Sequence, residues 1–125
     1  MLTSACMRVV MNGFVNLIKK NANGSIISSK EAYRRMKSSD KYVLLDVRTA
    51  SEYAEVRIEG AVLIPVDSLE ICAPVELPDK NVPIYVYCHA GVRASKAVDF
   101  LKGMGYTNVL SFGGVVNWPY DTVSG

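Results

Sequence analysis

The residues best suited to chemistry lie in one stretch, PIYVYCHAGVRASKAVDFLKGMG, at positions 83–105. An apolar run ends in Cys88, the loop His89-Ala90-Gly91-Val92 follows, and Arg93 and Ala94 open a helical pattern. Backbone N–H groups of a tight loop and of a helix N-terminus point at a common centre and favour negative charge there. A sulfur at the floor of such a cradle is favoured as thiolate over thiol. Arg93 adds a permanent positive charge on a planar fork of donors. Gly91 lets the backbone curl with no side chain in the way. The expected site is therefore Cys88 as nucleophile, with His89, Ala90, Gly91, Val92, Arg93 and Ala94 as the loop around its substrate.

Two chemistries use a cysteine in an anion cradle. One hydrolyses phosphate esters through a cysteinyl-phosphate; the other carries sulfane sulfur as a cysteine persulfide. Ring size separates them. Cysteine phosphatases hold five residues between cysteine and arginine, enough to enclose a tetrahedral oxyanion. Here four residues separate Cys88 from Arg93, and the smaller ring suits a single terminal sulfur atom.

The neighbours divide into supporting and packing roles. Asp46 ends an apolar strand beside the site, where it either holds the cradle through the loop or Arg48, or caps the next turn. Arg48 is read as half of a surface ion pair rather than a pocket group. Glu52 reads as a capping residue, since Thr49-Ala50-Ser51-Glu52 has the capping-box pattern. His89, the one histidine of the chain, is placed at the pocket rim, where it tunes charge near neutral pH. Trp118 is read as a packing anchor, and Tyr85 and Tyr87 as core or near-core residues. Cys72 lies between Ile71 and Ala73 and reads as a buried structural cysteine.

Positioning Cys88 at a strand end requires a strand–loop–helix unit. PIYVYC is a continuous apolar run, as expected of a strand covered on both faces. After it, Ala94, Ala97, Val98 and Leu101 fall at helical spacing, and Gly105 suits a left-handed cap. Upstream, SIIS, KYVLLDV and AVLIP read as strands, and KEAYRRMKSS as a helix capped by Ser28 or Ser29. VDSLE reads as the start of a helical turn, and NVLSF as the last strand before a Gly113-Gly114 turn. Strands alternating with helices predict right-handed crossovers and a mainly parallel sheet with helices on both faces. In such sheets ligands bind at the carboxyl ends of the strands, where Cys88 falls.

The 125 residues suit one domain, residues 24–125, preceded by an extension at 1–23 with a helical pattern over 7–20. A net charge of +2 with mixed signs offers no basic stripe for nucleic acid. No apolar run has the length of a membrane span. The extension lacks a charged segment followed by a long apolar one, so no targeting segment is expected. Three widely spaced cysteines, Cys6, Cys72 and Cys88, argue against a disulfide framework and for a reducing, cytoplasmic setting.

Four motifs in register resemble the rhodanese (sulfurtransferase) family over about residues 25–120. LLDVRTASEY, with Asp46, Arg48, Glu52 and Tyr53, is similar to the family's first signature. VRIEGAVLIP resembles its H-I-P-G-A-x-N-I-P segment, with Arg57, Glu59 and Leu63 departing from it. YCHAGVRAS resembles the active-site loop, with His89 where many members carry arginine and Ala94 where serine is frequent. LKGMGYTNVLSFGGVVNW resembles the closing helix, strand and Gly-Gly-x-x-x-Trp turn. The resemblance implies a three-layer α/β/α fold with a five-stranded, mainly parallel sheet. It also implies two-step transfer of sulfur from a donor such as thiosulfate, through Cys88 persulfide, to cyanide or a thiol. No metal or organic cofactor is implied. The implied partners are small-molecule donors and acceptors, or a thiol protein in a sulfur relay. The alternative is a persulfide carrier with little small-molecule turnover. The less cationic loop implies weaker binding of thiosulfate, a dianion.

Overall fold

The computed structural model describes residues 25–125. The helix expected over 7–20 and the boundary at 23 lie outside the described residues. Four helices and four strands alternate in the order α1 (Ser29–Lys37), β1 (Val43–Asp46), α2 (Ala50–Glu55), β2 (Val62–Leu63), α3 (Leu69–Glu76), β3 (Ile84–Cys88), α4 (Val92–Gly103) and β4 (Val109–Gly114). Short 3-10 turns at Val66–Ser68 and Val115–Asn117 complete the path.

The strands lie in the order β2-β1-β3-β4, with parallel pairing throughout. The expected fifth strand, SIIS, contributes a single parallel bridge between Ile26 and Ser111 at the β4 edge. Its brevity has a local cause: Ser28 already caps α1, accepting from the Glu31 N–H at 3.0 Å. The chain turns into helix before a second pair of residues can join the sheet.

Central strand β3 is buried along its whole length. Its side chains alternate between two cores, as the pleat requires. Ile84, Val86 and Cys88 face the layer of α3 and α4, meeting Leu69, Ala73, Ala97, Val98 and Leu101. Tyr85 and Tyr87 face the other layer, with Ala32 of α1, Leu44, Phe112 and Trp118. Both tyrosines and Trp118 are thus core residues, as expected. Helix α4 ends with Gly105 at φ +100°, while the Tyr106 N–H donates to the Leu101 carbonyl at 3.1 Å. That is the left-handed cap the sequence pattern anticipates.

One helix is longer than the sequence reading. VDSLE starts a helical turn, as expected: a 3-10 turn runs into helix α3, which extends further than that reading, to Glu76, with Pro74 inside it. The proline and the weak apolar periodicity of LEICAPVE hide its extent. Cys72 is buried on α3, the structural position expected, and is disulfide-bonded. A bonded Cys72 runs against the reading that the odd count and wide spacing of the cysteines disfavour a disulfide framework.

Candidate active site

Strand β3 delivers Cys88 to the carboxyl edge of the sheet, and the loop folds back over its sulfur. The Gly91 N–H donates to Cys88 Sγ at 3.0 Å and the Ala94 N–H at 3.3 Å. Gly91 adopts φ +121°, which L side chains rarely accept, and caps the N-terminus of α4. Cys88 is buried and is the free thiol of the described residues. His89 and Ala90 are exposed at the loop tip, Val92 is exposed, and Ala94 is buried under the first turn of α4. His89 takes the expected rim position. It lines a cavity of about 480 Å³ with Arg48, Glu52, Glu55, Val116 and Trp118 among others.

The loop rests on the end of β4. Cys88 is in register with Gly114. A Cβ built on Gly114 would lie 1.9 Å from the His89 carbonyl oxygen and 2.6 Å from Ala90 Cα. Backbone atoms cannot yield that distance, so only glycine fits. The Val116 N–H also donates to the His89 carbonyl at 3.2 Å. Gly113-Gly114 was read as a turn; the two residues instead finish the strand and form the bed on which the loop lies.

Arg93 lies against a partner the sequence reading missed. Its Nη1 donates to Glu52 Oε1 at 2.8 Å and its Nη2 to Oε2 at 3.1 Å, fork to fork. Glu52 is also the capping residue expected: its Oε1 accepts the Thr49 backbone N–H at 2.9 Å, and Thr49 Oγ1 accepts the Glu52 N–H at 3.2 Å. The hydrogen bond from Arg93 is the main force pulling the Glu52 carboxyl from its ordinary 4.5 down to about 2. Glu52 in turn raises the pKa of Arg93, holding its proton more firmly, with a smaller contribution from Cys88. The two residues are 41 positions apart, and no local pattern signals the pair.

Asp46 and Arg48 form a second pair. Arg48 Nε donates to Asp46 Oδ1 at 3.0 Å, and Nη2 donates to Oδ2 at 2.7 Å and to the Val56 carbonyl at 2.6 Å. The Arg48 backbone N–H also donates to Asp46 Oδ1, at 2.9 Å. Both side chains are fully buried, so the expectation of a surface ion pair is corrected. Burial works against the Arg48 charge, and the hydrogen bonds and attraction from Asp46 more than offset it. The Arg48 guanidinium lies 5.6 Å from the centre of the Tyr87 ring. Tyr87 Oη accepts the Ile58 N–H at 3.1 Å, and burial pushes its hydroxyl well above the usual range. Asp46 therefore holds Arg48 rather than the loop.

Among the described residues no group of three or more His, Cys, Asp or Glu side chains could hold a metal ion, and no helix is long and apolar enough to cross a membrane. What the arrangement can do is hold one buried sulfur against two backbone donors, beside a guanidinium clamped by a carboxylate.

Comparison with known proteins gives this geometry a context. A family model for the rhodanese-like domain matches residues 28–119. Thiosulfate sulfurtransferase PspE of Escherichia coli is 35% identical over 81 residues, covering 65% of this chain and 78% of that one. A sulfurtransferase of Allochromatium vinosum is 31% identical over 93 residues, covering 74% of this chain and 85% of that one. A solved rhodanese with anions, also from E. coli, aligns with a TM-score of 0.64 at 33% identity, covering 67% of this chain and 99% of that one.

Proposed function

The chain belongs to the rhodanese-like domain family, and from that premise we propose that it transfers sulfane sulfur through a persulfide on Cys88. The observation that carries this reading is the pair of N–H groups, from Gly91 and Ala94, directed at Cys88 Sγ. In the first half-reaction the Cys88 thiolate attacks the outer sulfur of a donor such as thiosulfate. A new S–S bond forms on Cys88 as the donor's S–S bond breaks, and sulfite leaves with the bonding electron pair. In the second, an acceptor such as cyanide or a thiolate attacks the terminal sulfur, and Cys88 departs as thiolate. This is covalent catalysis that splits one transfer into two displacements.

The loop N–H groups stabilise the anion before and after transfer. Hydrogen bonds to charged groups are worth about 1.5–3 kcal/mol each, and donors fixed in advance need no reorganisation as charge moves outward by one sulfur. The partners are a sulfur donor and an acceptor, either small molecules or a thiol protein in a relay.

Intact mass tests the reading directly. Incubation with thiosulfate should add one sulfur, about 32 Da, that cyanide removes, if Cys88 is the covalent nucleophile. Cys88→Ser should stay folded and gain nothing. Sulfur retained on the serine variant at wild-type level would defeat the assignment.

A further inference from the structure

Among the described residues, the two arginines at the site are each matched by a carboxylate. Arg93 has both terminal nitrogens on Glu52, and Arg48 has Nε and Nη2 on Asp46. Thr49 pins the Glu52 carboxylate from the far side, through its backbone N–H at 2.9 Å and its hydroxyl at 3.0 Å. Because the Glu52 carboxyl is held at about 2, it stays ionised near neutral pH. The adjoining cavity of about 480 Å³ adds Glu55, exposed on its wall, and no lysine. Glu52, Glu55, Arg48 and His89 share that cavity and Asp46 pairs with Arg48, so with Arg93 three carboxylates stand against two guanidinium groups. A dianion gains little from such a surface, because the cations that would attract it are spoken for.

We infer that Glu52 is a specificity-determining residue of the sulfur transfer: by clamping Arg93 it favours aminoalkyl persulfides, which carry an ammonium group, over dianionic inorganic donors. The inference rests on the Cys88 persulfide reading and names the donor class for that site. The loading step balances as a displacement. The Cys88 thiolate attacks the outer sulfur of R–S–SH, the donor S–S bond breaks, and RS⁻ leaves with the electron pair. The persulfide proton stays on the transferred sulfur, or passes to RS⁻ to give RSH. The ammonium of the donor is accommodated by Glu55, and its short alkyl chain by Val116 and Trp118 on the same cavity wall. Glu52 acts through Arg93 and is a positioning residue, not a catalytic one.

The probes are thiosulfate and cysteamine persulfide, and the readout is the single-turnover rate of persulfide formation on Cys88, followed by mass. Glu52→Gln removes the charge and keeps a capping side chain, since glutamine also serves at that position of the box. With Arg93 unclamped, the thiosulfate rate relative to the cysteamine persulfide rate should rise about tenfold, the equivalent of about 1.4 kcal/mol in the barrier. The thiosulfate rate of Glu52→Gln should also fall with added salt, whereas that of the wild type should hardly respond. A purely structural role for Glu52 would slow both donors together and leave the ratio and the salt response unchanged; that result overturns the inference. Should Glu52→Gln fail to fold, the wild type decides alone. Faster loading by thiosulfate than by cysteamine persulfide, with a steep fall in salt, refutes the inference. The reverse preference with a flat salt response sustains it. If neither donor loads Cys88, the persulfide reading itself fails, and the two failures are distinct.

Discussion

Two ion pairs flank the nucleophile, and they differ in what surrounds them. Asp46–Arg48 is 0% and 2% exposed, while Glu52–Arg93 is 31% and 33% exposed. The buried pair joins residues two apart, closing the end of β1 upon itself and reaching Val56. The half-exposed pair spans from α2 to the active-site loop, across the mouth of the site. Deep burial makes a charge dependent on its partner, because water cannot replace it. Partial exposure lets water replace the partner, so the same chemistry there costs little stability and instead controls how much charge a substrate meets. One pair therefore belongs to the scaffold and the other to selectivity.

The largest effect should come from breaking the buried pair. Asp46→Ala leaves Arg48 charged, buried and without its carboxylate, and removal of one partner of such a pair costs about 3–5 kcal/mol. Denaturant unfolding of Asp46→Ala beside Arg93→Gln should show the first far less stable and the second close to wild type. Equal losses in the two variants would erase the distinction between them.

Next in size is a contact that neither pair makes. Gly114→Ala places a methyl 1.9 Å from the His89 carbonyl oxygen. Overpacking of this kind costs about 1–3 kcal/mol, and here the strain falls on the loop that positions Gly91 and Ala94. Sulfur loading of Cys88 should fall by at least about tenfold, a loss of 1.36 kcal/mol or more. Gly60→Ala is the control: its Cβ meets nothing within 4 Å, and its φ of +91° leaves backbone strain alone. Wild-type loading rates in folded Gly114→Ala would show that the loop does not need its bed.

Arg93→Lys should act more mildly, because the charge remains while the fork is lost. Its Glu52 contact becomes a single, rotatable one, and loading by cysteamine persulfide should slow by a few-fold, less than in Gly114→Ala. A lysine variant slower than Gly114→Ala would mean that the fork itself, rather than the backbone cradle, carries the transfer.

The local parts of this site were legible in the chain. Cys88 at the end of PIYVYC, Gly91 in the loop and the Thr49–Glu52 capping box each follow from residues within a few positions of one another. What escaped depends on chain segments brought together by the fold. The Glu52–Arg93 clamp joins α2 to α4, and the burial of Arg48 depends on Tyr87 and Val56 closing over it. The extent of helix α3 was hidden by Pro74. The fifth strand was over-read because SIIS has strand composition but spends its last residues capping α1.

The smallest expected effect is acid sensitivity of the exposed clamp. In the folded protein the Glu52 carboxyl titrates at about 2 instead of the ordinary 4.5, chiefly through its hydrogen bond from Arg93. A carboxyl whose folded value lies below its unfolded one stabilises the protein above the unfolded value and loses that contribution as pH falls through the folded value. The clamp should therefore contribute fully from neutral pH down to about 5, shrink between about 4.5 and 2, and contribute nothing below. Water screens a pair this exposed, so its full worth should not exceed about 1 kcal/mol. Glu31 is also held at about 2, by Arg34 and Arg35, but it titrates in wild type and variant alike and cancels in their difference. The measurement is the gap in melting temperature between wild type and Glu52→Gln from pH 7 to pH 2.5. The gap should be small and constant down to about pH 5 and then narrow. A gap that stays constant to pH 2.5 would mean that Glu52 stabilises α2 through its cap alone, with the Arg93 clamp adding nothing to folding.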